Sequence, residues 1–352
     1  MQFEYFAASN SAQGFVSYYP QLFSRAEHTY IIKGGPGTGK SSFMKKIALS
    51  RESAGDKVEY YYCSSDHTSL DGVLIFGKDE IWGIIDGTPP HAKEPELPGI
   101  KDDIINLGEF WSRDQLLTQK NEIISLCGKK SSSYRKAYDY LRCCGNLSAT
   151  LEPIIDGIVD HDKMDSAVTR LCSSLSIDNG SSIVLPLCIK AVGMRGVASF
   201  DTFERTAESI YKVGDLYGVG ELFINKLYSS LVRKNITLRV AYDPICPQRI
   251  NGLYIDEKKT AFILSPTGDD DIGDARTEKY INPKRFVNTD QLKCARGEIR
   301  YAKRLFSESL DGALHALGEA RVYHFLLEDI YKKAMDFSSL SDFTERFCRN
   351  PK

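Results

Sequence analysis

The chain has 352 residues, of which 42% are hydrophobic and 26% charged, and its formal net charge is -2. These values exclude a disordered or fibrous chain, and the near-neutral charge supplies no overall field that would attract nucleic acid or anionic lipid. The length suits two domains. The nine cysteines form no C-x-x-C pair or zinc-site spacing. Because the sequence also shows no signal-peptide pattern and no membrane-length apolar stretch, we expect a cytoplasmic protein with reduced thiols.

The most informative motif lies near residue 40. An apolar segment at His28–Lys33 predicts a buried strand, and it is followed by Gly34-Gly35-Pro36-Gly37-Thr38-Gly39-Lys40-Ser41-Ser42, which matches the phosphate-binding loop G-x-x-x-x-G-K-[ST]. Glycines let successive backbone N–H groups surround a triphosphate, and the helix that follows adds its positive end. We predict that these residues bind ATP or another nucleoside triphosphate, with Lys40 on the β- and γ-phosphates and Ser41 on Mg²⁺. The alternative is a glycine-rich turn that happens to precede a lysine.

A candidate metal carboxylate follows 46 positions after Lys40. The apolar strand pattern Ile81–Ile85 ends at Asp86. In P-loop proteins an aspartate at such a strand end holds Mg²⁺ or its water shell. We predict this role for Asp86, the alternative being a turn or capping aspartate. The interval has room for one intervening strand, predicted at Val58–Cys63.

The sequence is less informative about a catalytic base. ATPases often place a glutamate directly after the strand-end aspartate, but Gly87 occupies that position. Asp66 is the candidate base, because it follows the neighbouring strand at the edge where ligand-facing residues of α/β sheets gather. Asp71 and His91 are weaker candidates that suit a turn equally well. Fast intrinsic hydrolysis is therefore not supported.

The two halves of the chain repeat each other. Asp114-Gln115-Leu116 recurs 176 positions later as Asp290-Gln291-Leu292, and earlier segments match at offsets of 179 to 182, as Asp86 does with Ser265. A repeat of this length indicates a tandem duplication. We predict a P-loop domain with C-terminal helices at residues 1–172, a linker at 173–182, and a second copy with its own C-terminal helices at 183–352.

Each copy is predicted to be an α/β domain of the P-loop NTPase type, a Rossmann-like, mostly parallel sheet with helices on both faces. Helical spacing continues after the first sheet at Asp114–Leu126, Tyr134–Cys144 and Leu151–Val159. The second copy is degenerate. Depending on where the gap is placed, Gly220 or Glu221 stands opposite Lys40, and Glu221 or Leu222 stands opposite Ser41. A carboxylate there repels phosphate. We therefore expect a non-catalytic regulatory or scaffold copy.

Several motifs together carry a resemblance to a known family. They are the glycine-rich loop, Cys63-Ser64-Ser65-Asp66, Ser69-Leu70-Asp71-Gly72-Val73 and Asp86-Gly87-Thr88-Pro89-Pro90-His91. The chain resembles bacterial tandem P-loop proteins of Gram-positive anaerobes and spore formers, which are labelled ATPase or ATP-binding protein. The resemblance covers most of the chain and implies an ATP site. Typical members have a P-loop in both halves, so the degenerate second half argues against hydrolysis at two sites.

The expected function is Mg²⁺-dependent binding of ATP or another nucleoside triphosphate, with slow or partner-stimulated hydrolysis. One alternative is a nucleotide kinase-type phosphotransferase, although between Asp86 and Asp114 the only arginine available for a phosphoryl-clamping lid is Arg113. Another is a nucleotide-gated binding module without turnover, which Gly87 favours.

Partners other than the nucleotide are weakly indicated. A protein partner would provide the stimulation, and no membrane contact is expected. A basic stripe on one predicted helix suits a solvated face better than contact with nucleic acid; it comprises Lys293, Arg296, Arg300, Lys303 and Arg304. The acidic run at 269–271 suits a solvated loop better than a cation site.

Overall fold

The computed structural model describes residues 2–90, 92–266 and 278–350. His91 and the acidic run at 269–271 lie outside the described residues. The elements of the first half are β1 (Phe3–Phe6), β2 (Ala8–Ser11), β3 (Gly14–Ser17), α1 (Tyr19–Phe23), β4 (His28–Lys33), α2 (Lys40–Ser53), β5 (Lys57–Tyr62), β6 (Leu70–Phe76), β7 (Ile81–Asp86), β8 (Asp102–Asn106), α3 (Arg113–Thr118), α4 (Lys120–Gly157) and α5 (His161–Ser174). Those of the second half are β9 (Ile183–Leu187), β10 (Lys190–Gly193), β11 (Gly196–Ser199), α6 (Thr202–Thr206), β12 (Ser209–Asp215), α7 (Val219–Leu231), β13 (Thr237–Tyr242), β14 (Ile250–Ile255), β15 (Thr260–Pro266), β16 (Glu278–Ile281), α8 (Thr289–Ala334) and α9 (Phe337–Arg349).

Each half contains a six-stranded sheet, and the two sheets have the same strand order. The first runs β1-β5-β6-β7-β4-β8 and the second β9-β13-β14-β15-β12-β16. All neighbours are parallel except β6 and β14, which run against the strands on both sides. The α/β class is therefore confirmed, and the matching order supports the duplication. Two strands, β5 and β6, separate α2 from β7, one more than the sequence predicts.

The two faces of the first sheet are covered differently. On the outer face, Phe43, Met44 and Ile47 of α2 pack against buried strand residues such as Ile32 and Ile84. The inner face packs against the inner face of the second sheet, together with the one-turn helices α1 and α6. The prediction of helices on both faces is thus correct for the outer face only, because the two copies bury their inner faces against each other.

Equivalent residues of the two copies meet at this interface. Glu59 and Arg239, which are 180 positions apart on β5 and β13, form an ion pair at 2.9 Å, and both are buried. Burial alone would raise the pKa of Glu59, but Arg239 and Arg25 lower it well below its usual value. Phe6 and Cys188 exchange backbone hydrogen bonds of 2.9 and 2.8 Å. Such pairing of equivalent positions is what a pseudo-twofold axis between the copies produces.

The helical segments predicted after each sheet form one long helix in each half, α4 and α8. These two helices are antiparallel, since Ser133 contacts Glu319 whereas Cys144 contacts Phe306. The buried residues of their contact are small or aliphatic, including Ala137, Leu141, Ala313 and Leu317. The small side chains allow the two helices to approach closely along their length.

The last helix of each half packs on the other half. Helix α5 contacts α7 of the second copy, and α9 contacts α2 of the first, where Phe43 stacks on Phe343 with ring centroids 5.8 Å apart. Asp160 and Asp336, 176 positions apart, cap the two helices by accepting hydrogen bonds from Lys163 N and Ser339 N. Each of these helices is predicted to belong to the copy that precedes it in the chain, and in the structure each packs on the other copy.

Candidate functional site

The loop 34–39 joins the carboxyl end of β4 to the start of α2. Gly37 and Gly39 have φ of 70° and 88°, a left-handed conformation that favours glycine. A Cβ at Gly34 would lie 2.7 Å from Thr38 Oγ1, which donates a hydrogen bond to the Gly35 carbonyl at 2.9 Å. The strand, glycine loop and helix expected from the sequence are all present, and the loop ends at the N-terminus of α2.

The Lys40 side chain lies across this loop. Its Nζ atom donates hydrogen bonds to the carbonyls of Gly34 at 3.0 Å and Gly35 at 2.8 Å, and it lies 3.6 Å from Asp86 Oδ2. The structure therefore brings the predicted phosphate lysine and the predicted metal carboxylate together. Their strands are neighbours, since Ile32 of β4 pairs with Asp86 of β7.

Asp86 is buried, and its neighbours affect both its hydrogen bonding and its pKa. Its Oδ1 atom accepts hydrogen bonds from the Thr88 backbone N–H at 2.9 Å and hydroxyl at 2.6 Å. Burial raises the pKa of Asp86, the Lys40 charge opposes this shift, and the Asp71 carboxylate adds to it. A carboxylate whose ionised form is disfavoured by burial gains from a cation beside it.

The two serines of the motif differ in their surroundings. The Ser41 hydroxyl accepts a hydrogen bond from the Leu70 backbone N–H at 2.9 Å, which ties the first turn of α2 to the start of β6. Its own hydrogen and remaining lone pair stay available for a ligand. Ser42 is exposed on α2. Pro36, like the loop glycines, is partly exposed.

Asp66, the candidate base, is engaged in an ion pair. Arg195 donates from Nε to Asp66 Oδ1 at 2.7 Å, and Thr68 donates to the same oxygen at 2.8 Å. Burial would raise the pKa of Asp66, but the hydrogen bonds from Arg195 and Thr68 lower it. Because a base with a lowered pKa accepts a proton poorly, this geometry argues against Asp66 as the group that activates water.

Two cations in this part of the molecule, one beside Asp66 and one that interacts with Lys40, are not predicted from the sequence. Arg195 comes from the tip between β10 and β11 of the second copy, and Lys130 comes from α4. Burial and the Lys40 charge lower the pKa of Lys130. A signal for Arg195 was present, because Gly14 and Gly196 match at an offset of 182 and the residues before them, Gln13 and Arg195, differ in charge.

The second copy has a shorter loop at the equivalent place. Gly218 begins α7 with φ of 103°, as Gly39 begins α2, so Val219 takes the position of Lys40. Gly214 pairs with Ser265 as Ile32 pairs with Asp86. The loop between strand and glycine therefore contains residues 216–217 instead of 34–38. This corrects the prediction that Gly220 or Glu221 replaces Lys40.

The short loop is filled by its own carboxylate. Asp215 Oδ1 accepts hydrogen bonds from the backbone N–H groups of Gly218 at 2.9 Å and Gly220 at 3.2 Å. Glu221 lies 3.2 Å from Arg249, yet burial and the carboxylates of Asp215, Asp243 and Glu152 raise its pKa to about 8. The Asp215 carboxylate already occupies this end of α7, which opposes phosphate binding.

No protein-family model, curated protein or solved structure matches this chain. Among the described residues, no helix is long and apolar enough to cross a membrane. The same residues contain no group of three or more histidine, cysteine, aspartate or glutamate side chains placed to hold a metal ion. Mg²⁺ bound with a nucleotide does not need such a group, because phosphate oxygens and water complete its coordination.

Proposed function

We propose that the first half binds a nucleoside triphosphate with Mg²⁺, ATP being the expected nucleotide. The observation that carries this proposal is the glycine loop at the N-terminus of α2 with Lys40 only 3.6 Å from Asp86. The backbone N–H groups of the loop and Lys40 would hold the phosphates, while Ser41 and Asp86 would hold the metal or its water shell. Bound Mg²⁺ neutralises charge on the phosphates.

Slow or partner-stimulated hydrolysis is the turnover that this site supports best. A Cβ at Gly87 would lie 2.3 Å from Ile31 Cγ2, so the position after Asp86 has no room for the glutamate that orients water in many ATPases. Asp66 is held by Arg195. A partner that supplies a base, or that releases Asp66, would accelerate the reaction.

A nucleotide-gated module without turnover is the second candidate, and the lack of space at Gly87 favours it. Phosphotransfer has less support, since Arg113 is exposed at the start of α3. In either case the second half acts as a regulatory or scaffold copy, as in a tandem P-loop protein with one active loop.

The test is a titration of the full chain with Mg·ATP, followed by phosphate release. We expect one site per chain. Lys40→Ala should weaken triphosphate binding about 10- to 100-fold, because it removes a charged contact with the phosphates. At 100 times the dissociation constant, bound ATP stabilises the protein by about 2.7 kcal/mol, which a thermal shift reports.

Val219→Ala is the matched control, since Val219 occupies the equivalent position in the second copy. It should leave binding unchanged. An undiminished thermal shift in Lys40→Ala, or two sites per chain, would contradict the proposal. Binding without phosphate release would leave the gated module as the function.

A further inference from the structure

The hairpin β10–β11 of the second copy reaches onto the first copy at the connection between β5 and β6. At its tip, the Met194 backbone N–H donates to the Ser65 carbonyl at 2.7 Å. A Cβ at Gly193 would lie 2.4 and 2.5 Å from the carbonyl oxygens of Ser64 and Ser65, so the approach requires glycine. The hairpin tip is therefore held against the segment that follows β5, and Arg195 projects from it.

Arg195 is bound to Asp66 but retains hydrogen-bonding capacity. Its Nε and one terminal nitrogen contact the Asp66 carboxylate at 2.7 and 3.5 Å, and its guanidinium lies over the Phe325 ring at 5.3 Å. A guanidinium has five N–H donors in a fixed fork, and this pair uses only two of them. The side chain is 28% exposed. It is thus anchored, partly accessible and able to bind a second anion.

The segment that Arg195 contacts also contacts the first turns of α2. The Thr68 carbonyl accepts a hydrogen bond from Lys45 Nζ at 2.9 Å, and the Leu70 N–H donates to the Ser41 hydroxyl at 2.9 Å. The short connection between β5 and β6 therefore contacts Arg195 at Asp66, and Leu70, which follows this connection, contacts the predicted magnesium ligand Ser41.

Helix α4 contributes a further cation to the same place. The Tyr134 side chain interacts with that of Ser65, next to Asp66. Lys130 lies one turn before Tyr134 on α4, and it is close enough to Lys40 for the two charges to interact. Lys40 and Lys130 thus interact within the first half, and Arg195 of the second half lies on the β5–β6 connection, which contacts α2 at Ser41. A concentration of cations beside a phosphate-binding loop is suited to a highly charged anion.

The equivalent hairpin of the first copy shows that docking does not need an arginine. There the Ala12 N–H donates to the Ile245 carbonyl at 2.8 Å, which reproduces the contact between Met194 and Ser65. The residue that corresponds to Arg195 is Gln13, whose amide lies 3.5 Å from that of Gln248. The charge is present only at the copy with the intact loop.

We propose that Arg195 is a binding residue for the terminal phosphate of the nucleotide, supplied by the second half to the first. This inference rests on the proposed function. When a triphosphate binds, Arg195 shares its guanidinium between Asp66 and the γ-phosphate, or exchanges one for the other. The degenerate copy is then part of the nucleotide site, and the site distinguishes tri- from diphosphates through a residue of that copy.

The experiment measures dissociation constants for Mg·ATP and Mg·ADP in the full chain and in Arg195→Gln, a substitution that the equivalent hairpin already carries. We expect Arg195→Gln to weaken ATP binding about tenfold or more, and to change ADP binding by less than about twofold, because only the triphosphate loses a charged contact. Gln13→Ala is the matched control and should change neither constant. Asp66→Asn keeps Arg195 but removes its charged partner, so the preference for ATP should stay or increase.

An unchanged ratio of ATP to ADP affinity in Arg195→Gln would overturn the inference, whether both constants change equally or neither changes. The apo melting temperature of each variant shows whether its fold is intact. If Arg195→Gln does not fold, a loss of ATP preference in Asp66→Asn overturns the inference. Lys40→Ala in the same series separates the two proposals. If it binds as tightly as the wild type, the proposed function fails and this inference with it.

Discussion

The two loops that precede α2 and α7 differ in what lies beside the backbone N–H groups at the start of each helix. Each leaves backbone N–H groups unpaired at the start of a helix. In the first copy the loop 34–39 is long enough to surround an anion, and Lys40 lies across it. In the second the loop is three residues shorter, and Asp215 accepts the hydrogen bonds of Gly218 and Gly220. Because the Asp215 carboxylate already accepts these hydrogen bonds, the same N–H groups are not available to a phosphate.

The comparison shows that the two loops differ within a framework that both halves share. The sheet order, the hairpin docking and the exchanged helices are common to both halves. This scaffold includes apolar packing between the inner faces of the two sheets. The second half shares it and positions Arg195 at Asp66 of the first half.

The largest effect should come from the metal carboxylate. Asp86→Asn should raise the Mg²⁺ concentration needed for half-maximal nucleotide binding about tenfold or more, because it removes a charged ligand. Titration of Mg²⁺ at fixed ATP measures this. Ser265→Ala, at the equivalent position of the second copy, is the control and should have no effect. Equal Mg²⁺ dependence in the wild type and Asp86→Asn would remove Asp86 from the site.

The wild type should also lose Mg²⁺ affinity on acidification earlier than a site with an ordinary aspartate. Burial raises the pKa of Asp86, so the proton competes with the metal at a higher pH. A pH series of the Mg²⁺ titration tests this expectation.

A smaller effect is expected at the loop of the second copy. Asp215→Ala should lower the free energy of unfolding by about 1–2 kcal/mol, since two backbone N–H groups lose their acceptor. Chemical denaturation followed by circular dichroism measures the change. Asp215→Asn, which retains an acceptor oxygen, should cost less. Neither variant should gain nucleotide binding, because Val219 stands where Lys40 would be required. Nucleotide binding by Asp215→Ala would mean that the carboxylate alone blocks the second loop.

The smallest effect concerns pH and Glu221. Its pKa is raised from 4.5 to about 8 in the folded protein. The folded state therefore binds a proton that the unfolded state releases, and this stabilisation is complete below about pH 4.5 and is lost as the pH rises through about 8. Glu221→Gln should raise the melting temperature by about 1–3 °C at pH 8.5. Glu122→Gln, at an exposed position of α4, should not. A melting temperature of Glu221→Gln below that of the wild type at pH 8.5 would show that the ion pair with Arg249 outweighs burial.

Much of the candidate site follows from local sequence patterns. The glycines and Lys40 identify the loop because their spacing reflects the backbone that a phosphate requires. The apolar run before Asp86 predicts its strand, since a strand buried on both faces is apolar throughout. The residues repeated at offsets of 176 to 182 indicate two copies, and the strand orders agree. These features depend on residues close together in the chain or on comparison of the chain with itself.

Only the tertiary structure shows which elements of one copy contact the other copy. The exchange of α5 and α9, the ion pair of Glu59 with Arg239 and the contact of Arg195 with Asp66 all join residues that are far apart in sequence. Periodicity and spacing report which face of an element is buried, but not which surface buries it. The position of Val219 opposite Lys40 likewise required the helix start at Gly218, because a three-residue deletion in a glycine-rich loop can be aligned in several ways. The partner of each buried face was determined by how the two copies pack together, and that packing brings Arg195 of one half to Asp66 of the other.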